Sequence, residues 1–284
     1  MSGKKVVVTG ASVGIGYGIT KVLVKKGFHV FGSVRKPADA ARLANVFGAS
    51  VTALMFDVTD ASAVNAGAEQ VAAALAGETL TGLVNNAGIF VSGPLLHLPI
   101  DDFEKQLRIN VTGQLIVTQA FAPLLGTAPD RIGNAGRIVM ISSVGGKNAM
   151  PFTGAYNTSK FALEGLSESL RRELMLLGID VVVVAPGAVA TPLWDKVEAA
   201  DASRFSDTPF AEGMDVMHKY MLDIGHKGLK PERLGRAVYR ALTTSRPKTR
   251  YVVTPAKFEN FMANNLPKRM VDRAIAARFA LVRR

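Results

Sequence analysis

The chain of 284 residues is long enough for one large α/β domain or two small ones, and it carries 34 Lys and Arg against 23 Asp and Glu, a net charge of +11. With no cysteine it has no disulfides, no thiolate metal site and no cysteine nucleophile, which suits a reducing compartment. His29, His97, His218 and His226 show no HxxxH or HExxH spacing, so no metal site is expected, and no run of about 18 apolar residues marks a membrane span. The opening Val6-Val7-Val8 is cut short by Thr9-Gly10, unlike a secretory leader, so a cytoplasmic protein is expected.

Short Val-rich runs alternate with longer segments of helical period, the pattern of βαβ units around a buried parallel sheet. Seven strands are predicted near Lys5–Thr9, His29–Val34, Val51–Phe56, Gly82–Asn85, Arg137–Ser142, Asp180–Ala185 and Arg250–Val253. Ile15, Ile19, Val22 and Leu23 mark the first helix, which Gly27 ends. A long helix covers about Asp101–Leu125 and contains Asn110. A stripe of Leu163, Leu166, Leu170, Leu174 and Leu177 marks another, which Gly178 ends. Right-handed crossovers then favour a single Rossmann-type, doubly wound domain with its ligand crevice at the carboxyl ends of the strands.

Gly10, Gly14 and Gly16 fall between the first strand and first helix, where a tight turn brings backbone N–H groups and a helix N-terminus against a pyrophosphate. Tyr156 and Lys160 stand at i and i+4, so an ammonium sits beside a phenol on one helix face and is expected to favour its ionised form. Ser143 lies thirteen residues before Tyr156. The glycine spacing is GxxxGxG and not the GxGxxG of the dinucleotide fingerprint. Together with Asp57-Val58, Asn85-Asn86-Ala87-Gly88, Asn110, Ser143, Tyr156-Asn-Thr-Ser-Lys160 and Pro186-Gly187-Ala188-Val189-Ala190-Thr191, it resembles the short-chain dehydrogenase/reductase family over about residues 4 to 192.

That resemblance implies an oxidoreductase that moves a hydride between a nicotinamide cofactor and a carbonyl or secondary alcohol. It implies Asn110, Ser143, Tyr156 and Lys160 as the catalytic set. Tyr156 would pass the proton, Lys160 would lower its pKa and hold the nicotinamide ribose, and Ser143 would orient the carbonyl. Asn110 would bend its helix and hold a water linking Lys160 to solvent. Gly10, Ser12, Gly14, Ile15, Gly16, Val58, Asn86, Ala87, Gly88, Pro186 and Gly187 would line the cofactor channel with Tyr156 and Lys160. Asp57 would contact the adenine, and Val189 and Thr191 the carboxamide side of the nicotinamide. The second strand ends in Gly32-Ser33-Val34-Arg35-Lys36 with no acid before Asp39, so NADP(H) is expected over NAD(H), with Arg35 on the 2′-phosphate and Ser33 and Lys36 assisting.

The stretch from Ala188 to Leu229 is rich in Met and aromatics, and with Phe90, Met150 and Phe152 it suggests a roomy cover for a bulky lipophilic substrate, nearer hydroxysteroid or retinol dehydrogenases than sugar enzymes. An oligomer contact or plain core fits this stretch as well. A homo-oligomer, dimer or tetramer, is expected. A non-catalytic NADP-binding sensor and a lipid-surface protein are the alternatives on the same fold.

The charge is concentrated at the end. From His226 onward 15 Lys and Arg face three acids, and the residues upstream carry 19 basic and 20 acidic side chains. A catalytic domain over 1–255 and a basic helical extension over 256–284 are therefore expected. A helix over about Pro267–Val282 would gather Met270, Val271, Ala274, Ile275, Phe279 and Val282 on one side, with Arg269, Arg273, Arg283 and Arg284 opposite and Arg278 inside the apolar arc. A membrane-surface helix fits that pattern. The expectation is instead a helix packed on its own domain or a sister subunit, and no nucleic-acid binding.

Overall fold

The computed structural model describes residues 3–128, 130–199 and 202–282. Seven parallel strands form one sheet: β1 (Lys5–Val8), β2 (His29–Val34), β3 (Val51–Met55), β4 (Gly82–Asn85), β5 (Arg137–Ile141), β6 (Asp180–Pro186) and β7 (Arg250–Val253), in the order β3-β2-β1-β4-β5-β6-β7. Each lies within a residue of its predicted bounds. The reason is compositional: parallel strands are covered on both faces and so read as unbroken apolar runs, with Val6, Val7 and Val8 all fully buried.

Helices cover both faces. On one side α1 (Gly14–Lys25), α2 (Pro37–Phe47) and α9 (Glu232–Thr243) pack over Val6, Val8, Val139 and Val184. On the other, α3 (Ala61–Leu75), α5 (Gly113–Phe121) and α6 (Gly154–Glu173) enclose Val7, Leu83, Ile138 and Val183. This alternation of inward residues is what a two-sided sheet requires. The order reverses between β1 and β4, which opens a crevice at their carboxyl ends.

The expected long helix over Asp101–Leu125 is interrupted. It runs as α4 (Ile100–Leu107), a π-helical turn (Arg108–Thr112) containing Asn110, and α5. The predicted bend at Asn110 is therefore a π-bulge, which widens the turn by one residue and reorients the side chains around it.

After β6 the chain forms α7 (Leu193–Glu198) and α8 (Ala211–His226), and after β7 it forms α10 (Lys257–Asn265) and α11 (Lys268–Arg278). The tail thus holds two helices where one was expected. In α11 Val271 is buried and Phe279, just past its end, is fully buried against α8, which packs the segment onto its own domain. Met270 and Val282, assigned to the same apolar side, are more than half exposed: Met270 borders the open cavity, and Val282 follows the end of the helix at Arg278 and the turn through Ala280 at φ 51°. Arg283 and Arg284 lie outside the described residues. No described helix is long and apolar enough to cross a membrane.

Candidate active site

The first turn after β1 is shaped by its glycines. Gly10 and Gly14 have φ of 64° and 58°, left-handed conformations that disfavour side chains. At Gly16 a Cβ would lie 2.1 Å from the carbonyl oxygen of Gly10 and 2.6 Å from Asn86 Nδ2. The residue preceding α1, Val13, offers no side-chain cap, and the first turn holds no acidic residue. The N–H groups at this helix end are free of side-chain partners and its positive end faces outward, a fit for a phosphate anion.

The cradle is tied to β4 by polar side chains. Thr9 Oγ1 accepts the Asn86 and Ala87 N–H groups at 2.8 and 2.9 Å, and Asn86 Nδ2 donates to the Thr9 carbonyl at 2.8 Å. Asn86 therefore holds the glycine turn in place while also lining the crevice. Ser12 has its carbonyl taken by Arg42, 2.7 Å away, and Val58 is buried in the core beside α5.

At the end of β2, Arg35 is exposed and pairs with Asp57 at 3.3 Å. Asp57 also accepts the Thr59 N–H and hydroxyl at 3.0 and 2.8 Å. Burial opposes its ionisation, but the Thr59 and Arg35 bonds outweigh burial and hold its carboxyl below the usual range. Ser33 departs from expectation. Its hydroxyl accepts the Gly10 N–H at 3.0 Å and so buttresses the glycine turn, and its burial, not this bond, keeps it from the exposed position beside Arg35. Arg42, which sequence reasoning missed, reaches the same corner from α2 and is bound to Asp39 at 2.8 Å.

The expected catalytic set converges on α6. Tyr156 and Ser143 line the same cavity, and Ser143 Oγ accepts the Gly145 N–H at 3.0 Å. Lys160 is buried, donates to the Ile141 carbonyl at 2.9 Å, and sits 5.7 Å from the centre of the Tyr156 ring. Burial pulls its pKa down to about 8, opposed by the charge of Glu164. Burial pushes the Tyr156 phenol above its ordinary value, with Ser143 opposing. This is the reverse of the shift expected from the Tyr–Lys spacing, because loss of solvent around the phenol outweighs the nearby amine.

Asn110 binds the loop after β4 and not the other members of that set. Its Oδ1 accepts the Ile89 N–H at 2.8 Å, and its Nδ2 donates to the Ile89 carbonyl at 3.0 Å and Ser159 Oγ at 3.1 Å. Gln106 and Gln114 continue this clamp. Gln106 binds Val91 N–H and Ile89 carbonyl at 2.7 and 2.8 Å, and Gln114 donates to the Ala87 carbonyl. Both were missed by sequence reasoning, although a buried glutamine on an otherwise apolar helix face is a usable signal. Arg250 was missed too. From β7 it donates twice to Glu164 at 3.1 Å and once to the Ser143 carbonyl at 3.2 Å, fastening α6 to the serine loop.

A cavity of about 790 Å³ opens onto Tyr156, Ser143 and Lys160 and reaches Ile15, Asn86 and Gly88 on one side and Pro186, Gly187, Val189 and Thr191 on another. Gly10, Ser12, Gly14, Gly16, Arg35, Asp57, Val58, Ala87 and Asn110 are not part of its wall. Much of its remaining wall is apolar: Trp194, Met217 and Met221 from the segment after β6, and Met262, Leu266 and Ile275 from α10 and α11. Trp194 is pinned by its ring N–H to the Val189 carbonyl at 2.7 Å, and Phe90 stacks edge-on to Tyr156 at 5.0 Å.

A glycine turn built for a pyrophosphate beside a Ser–Tyr–Lys corner defines a dinucleotide-dependent oxidoreductase of the Rossmann type. The short chain dehydrogenase family matches residues 4–202. The chain is 36% identical over 268 residues to the NADPH-dependent 3-dehydrocapnine reductase of Ornithobacterium rhinotracheale, covering 94% of each. It is 32% identical to human retinol dehydrogenase 5, covering 94% of this chain and 86% of that one. Its fold matches a short chain dehydrogenase/reductase of Burkholderia phymatum crystallised with NAD, at a TM-score of 0.78, 23% identity and coverage of 96% and 95%. The chain belongs to the short-chain dehydrogenase/reductase family, whose members are nicotinamide-dependent oxidoreductases.

Proposed function

We propose that the protein transfers a hydride between NADP(H) and a carbonyl or secondary alcohol of a bulky lipophilic substrate. The observation that carries this reading is the convergence of Tyr156, Ser143 and Lys160 on one largely apolar cavity of about 790 Å³. The nicotinamide would share this cavity on the Asn86, Val189 and Thr191 side, and the Met and aromatic wall that remains suits an apolar substrate body.

When bound, the nicotinamide cofactor supplies the hydride that becomes the new C–H bond at the carbonyl carbon. The chain's part is to hold and protonate. Ser143 donates a hydrogen bond to the carbonyl oxygen, and Tyr156 delivers its hydroxyl proton to that oxygen as the C=O bond becomes C–OH. The Tyr156 hydroxyl is protonated at neutral pH, and because burial raises its pKa it needs a neighbouring cation to become a competent acid. Lys160 stands beside the ring to stabilise the phenolate left behind. In oxidation the same groups act in reverse, Tyr156 taking the proton. For the cofactor, the exposed guanidinium of Arg35 at the end of β2 supports NADP(H), and so does the NADPH dependence of the Ornithobacterium relative.

Initial rates with NADPH and NADH on steroid, retinoid, aryl and aliphatic ketones test this reading. NADPH is expected to be favoured, and Arg35→Asp to collapse or invert that preference. Tyr156→Phe is expected to lower turnover about 10²–10⁴-fold while nucleotide binding persists. Equal or faster turnover with NADH in the unaltered protein would refute the cofactor assignment, and loss of nucleotide binding with little loss of turnover in Tyr156→Phe would refute the catalytic one.

A further inference from the structure

The described cavity wall carries three charged side chains: Lys160, Glu259 and Arg278. Lys160 is committed to the Ile141 carbonyl beside Tyr156. Arg278 differs. It lies at the end of α11, exposed, with its guanidinium 4.3 Å over the centre of the Tyr220 ring and 5.8 Å from that of Phe279. Among the described residues it has no carboxylate partner, and Glu259 is not within ion-pair reach.

We infer that Arg278 is the anion-recognising residue of the substrate cavity, and that the substrate is an amphiphile with a carboxylate group at the end remote from its reacting carbonyl. This rests on the oxidoreductase reading given above. The cation–π contact with Tyr220 restrains the guanidinium beside the cavity, which lowers the cost of ordering it when a ligand arrives. A planar fork held this way suits a flat or trigonal oxoanion through paired, charge-assisted hydrogen bonds. The cavity that holds both this cation and Tyr156 is also lined by Met217, Met221 and Ile275. The pattern is that of a chain or ring system held at both ends: carbonyl at Tyr156, anion at Arg278.

The surrounding charge agrees. Over 256–282 Lys257, Lys268, Arg269, Arg273 and Arg278 face only Glu259 and Asp272, so the mouth formed by α10 and α11 is electropositive. Such a field concentrates anions at the entrance and raises their capture rate, an effect that salt screens.

A long-chain keto fatty acid and its methyl ester, at concentrations below micelle formation, separate the possibilities. With NADPH, kcat/KM is expected to be about tenfold higher for the acid than for the ester, the size of one charge-assisted hydrogen bond at a half-open site, and this ratio is expected to shrink in high salt. In Arg278→Met the ratio should fall towards one through KM, whereas Arg278→Lys should retain part of it. Thermal denaturation of each variant reads folding separately. An acid-to-ester ratio of one in the unaltered protein overturns the inference whatever the variants do, and so does a ratio that survives in a folded Arg278→Met. If neutral ketones are reduced and neither probe is, the inference fails while the reductase reading stands. If no ketone is reduced with either nucleotide, it is the reductase reading that fails.

Discussion

The two walls of the site are built from different parts of the polypeptide. On the nucleotide side the shape is set by backbone: left-handed Gly10 and Gly14, a Gly16 with no room for a Cβ, and loop carbonyls and N–H groups held by Thr9, Asn86 and Asn110. On the substrate side it is set by side chains such as Trp194, Met217, Met221 and Ile275, packed from three separate segments. A backbone position with a sterically forbidden Cβ admits one residue type, whereas an apolar wall admits many. The first wall should therefore be intolerant of small changes and the second tolerant of larger ones.

The strongest test of that contrast is Gly16→Ala. The new methyl would lie 2.1 Å from the Gly10 carbonyl oxygen and 2.6 Å from Asn86, and these neighbours are backbone and a pinned amide. We expect a loss of about 1–3 kcal/mol in stability and a loss of nucleotide affinity of roughly a hundredfold or more, since the turn that presents its N–H groups must move. Urea unfolding and nucleotide titration measure the two. A Gly16→Ala variant that binds nucleotide normally would show that the cradle is softer than its geometry.

This contrast also explains what was legible in the sequence. The seven strands were readable because two-sided burial writes itself as Val runs, and the glycine turn because its conformations exclude other residues. The Ser–Tyr–Lys corner was readable as a spacing. The direction of the Tyr156 shift was not, because it depends on how dry the finished pocket is, and no local pattern encodes that. Arg250 was invisible for a similar reason: its partner Glu164 is 86 residues away. The helical extension expected over 256–284 was not divided into α10 and α11, because Phe258 and Phe261 of α10 are exposed and its periodicity carries no clean stripe.

A smaller effect probes the corner between the two walls. Lys160 has a pKa of about 8 in the folded chain against 10.5 for the free side chain. Below about 8 it is charged in both states, and the burial penalty on the ammonium is present in full. Between 8 and 10.5 the folded chain has released the proton and the unfolded chain has kept it, so this group's contribution to stability improves as pH rises. Function should run the other way. The charged amine is the form that stabilises a phenolate and holds a hydroxyl, so kcat/KM for the nucleotide should fall as pH rises through about 8. Glu164→Gln removes the charge that supports the ammonium and should move this fall to lower pH. A pH profile unchanged in the variant would separate Glu164 from the lysine and leave it only the role of anchoring Arg250.

The smallest effect is expected at the substrate wall. Met221 is buried, lines the cavity from α8 and belongs to a cluster of Phe152, Val197, Met217 and Phe279. Met221→Leu conserves volume while replacing a flexible, polarisable thioether with a branched side chain. Its cost in stability should be under about 1.5 kcal/mol. Steady-state kinetics on two lipophilic ketones of different shape should show KM moving by a few-fold and in different directions for the two, because the branch fills one contour better than the other, while affinity for the nucleotide stays put. A backbone cradle independent of the side-chain wall predicts this split. A Met221→Leu protein that loses nucleotide affinity as Gly16→Ala does would mean that the side-chain wall also holds the backbone cradle in shape, and that the two halves of the site are mechanically one.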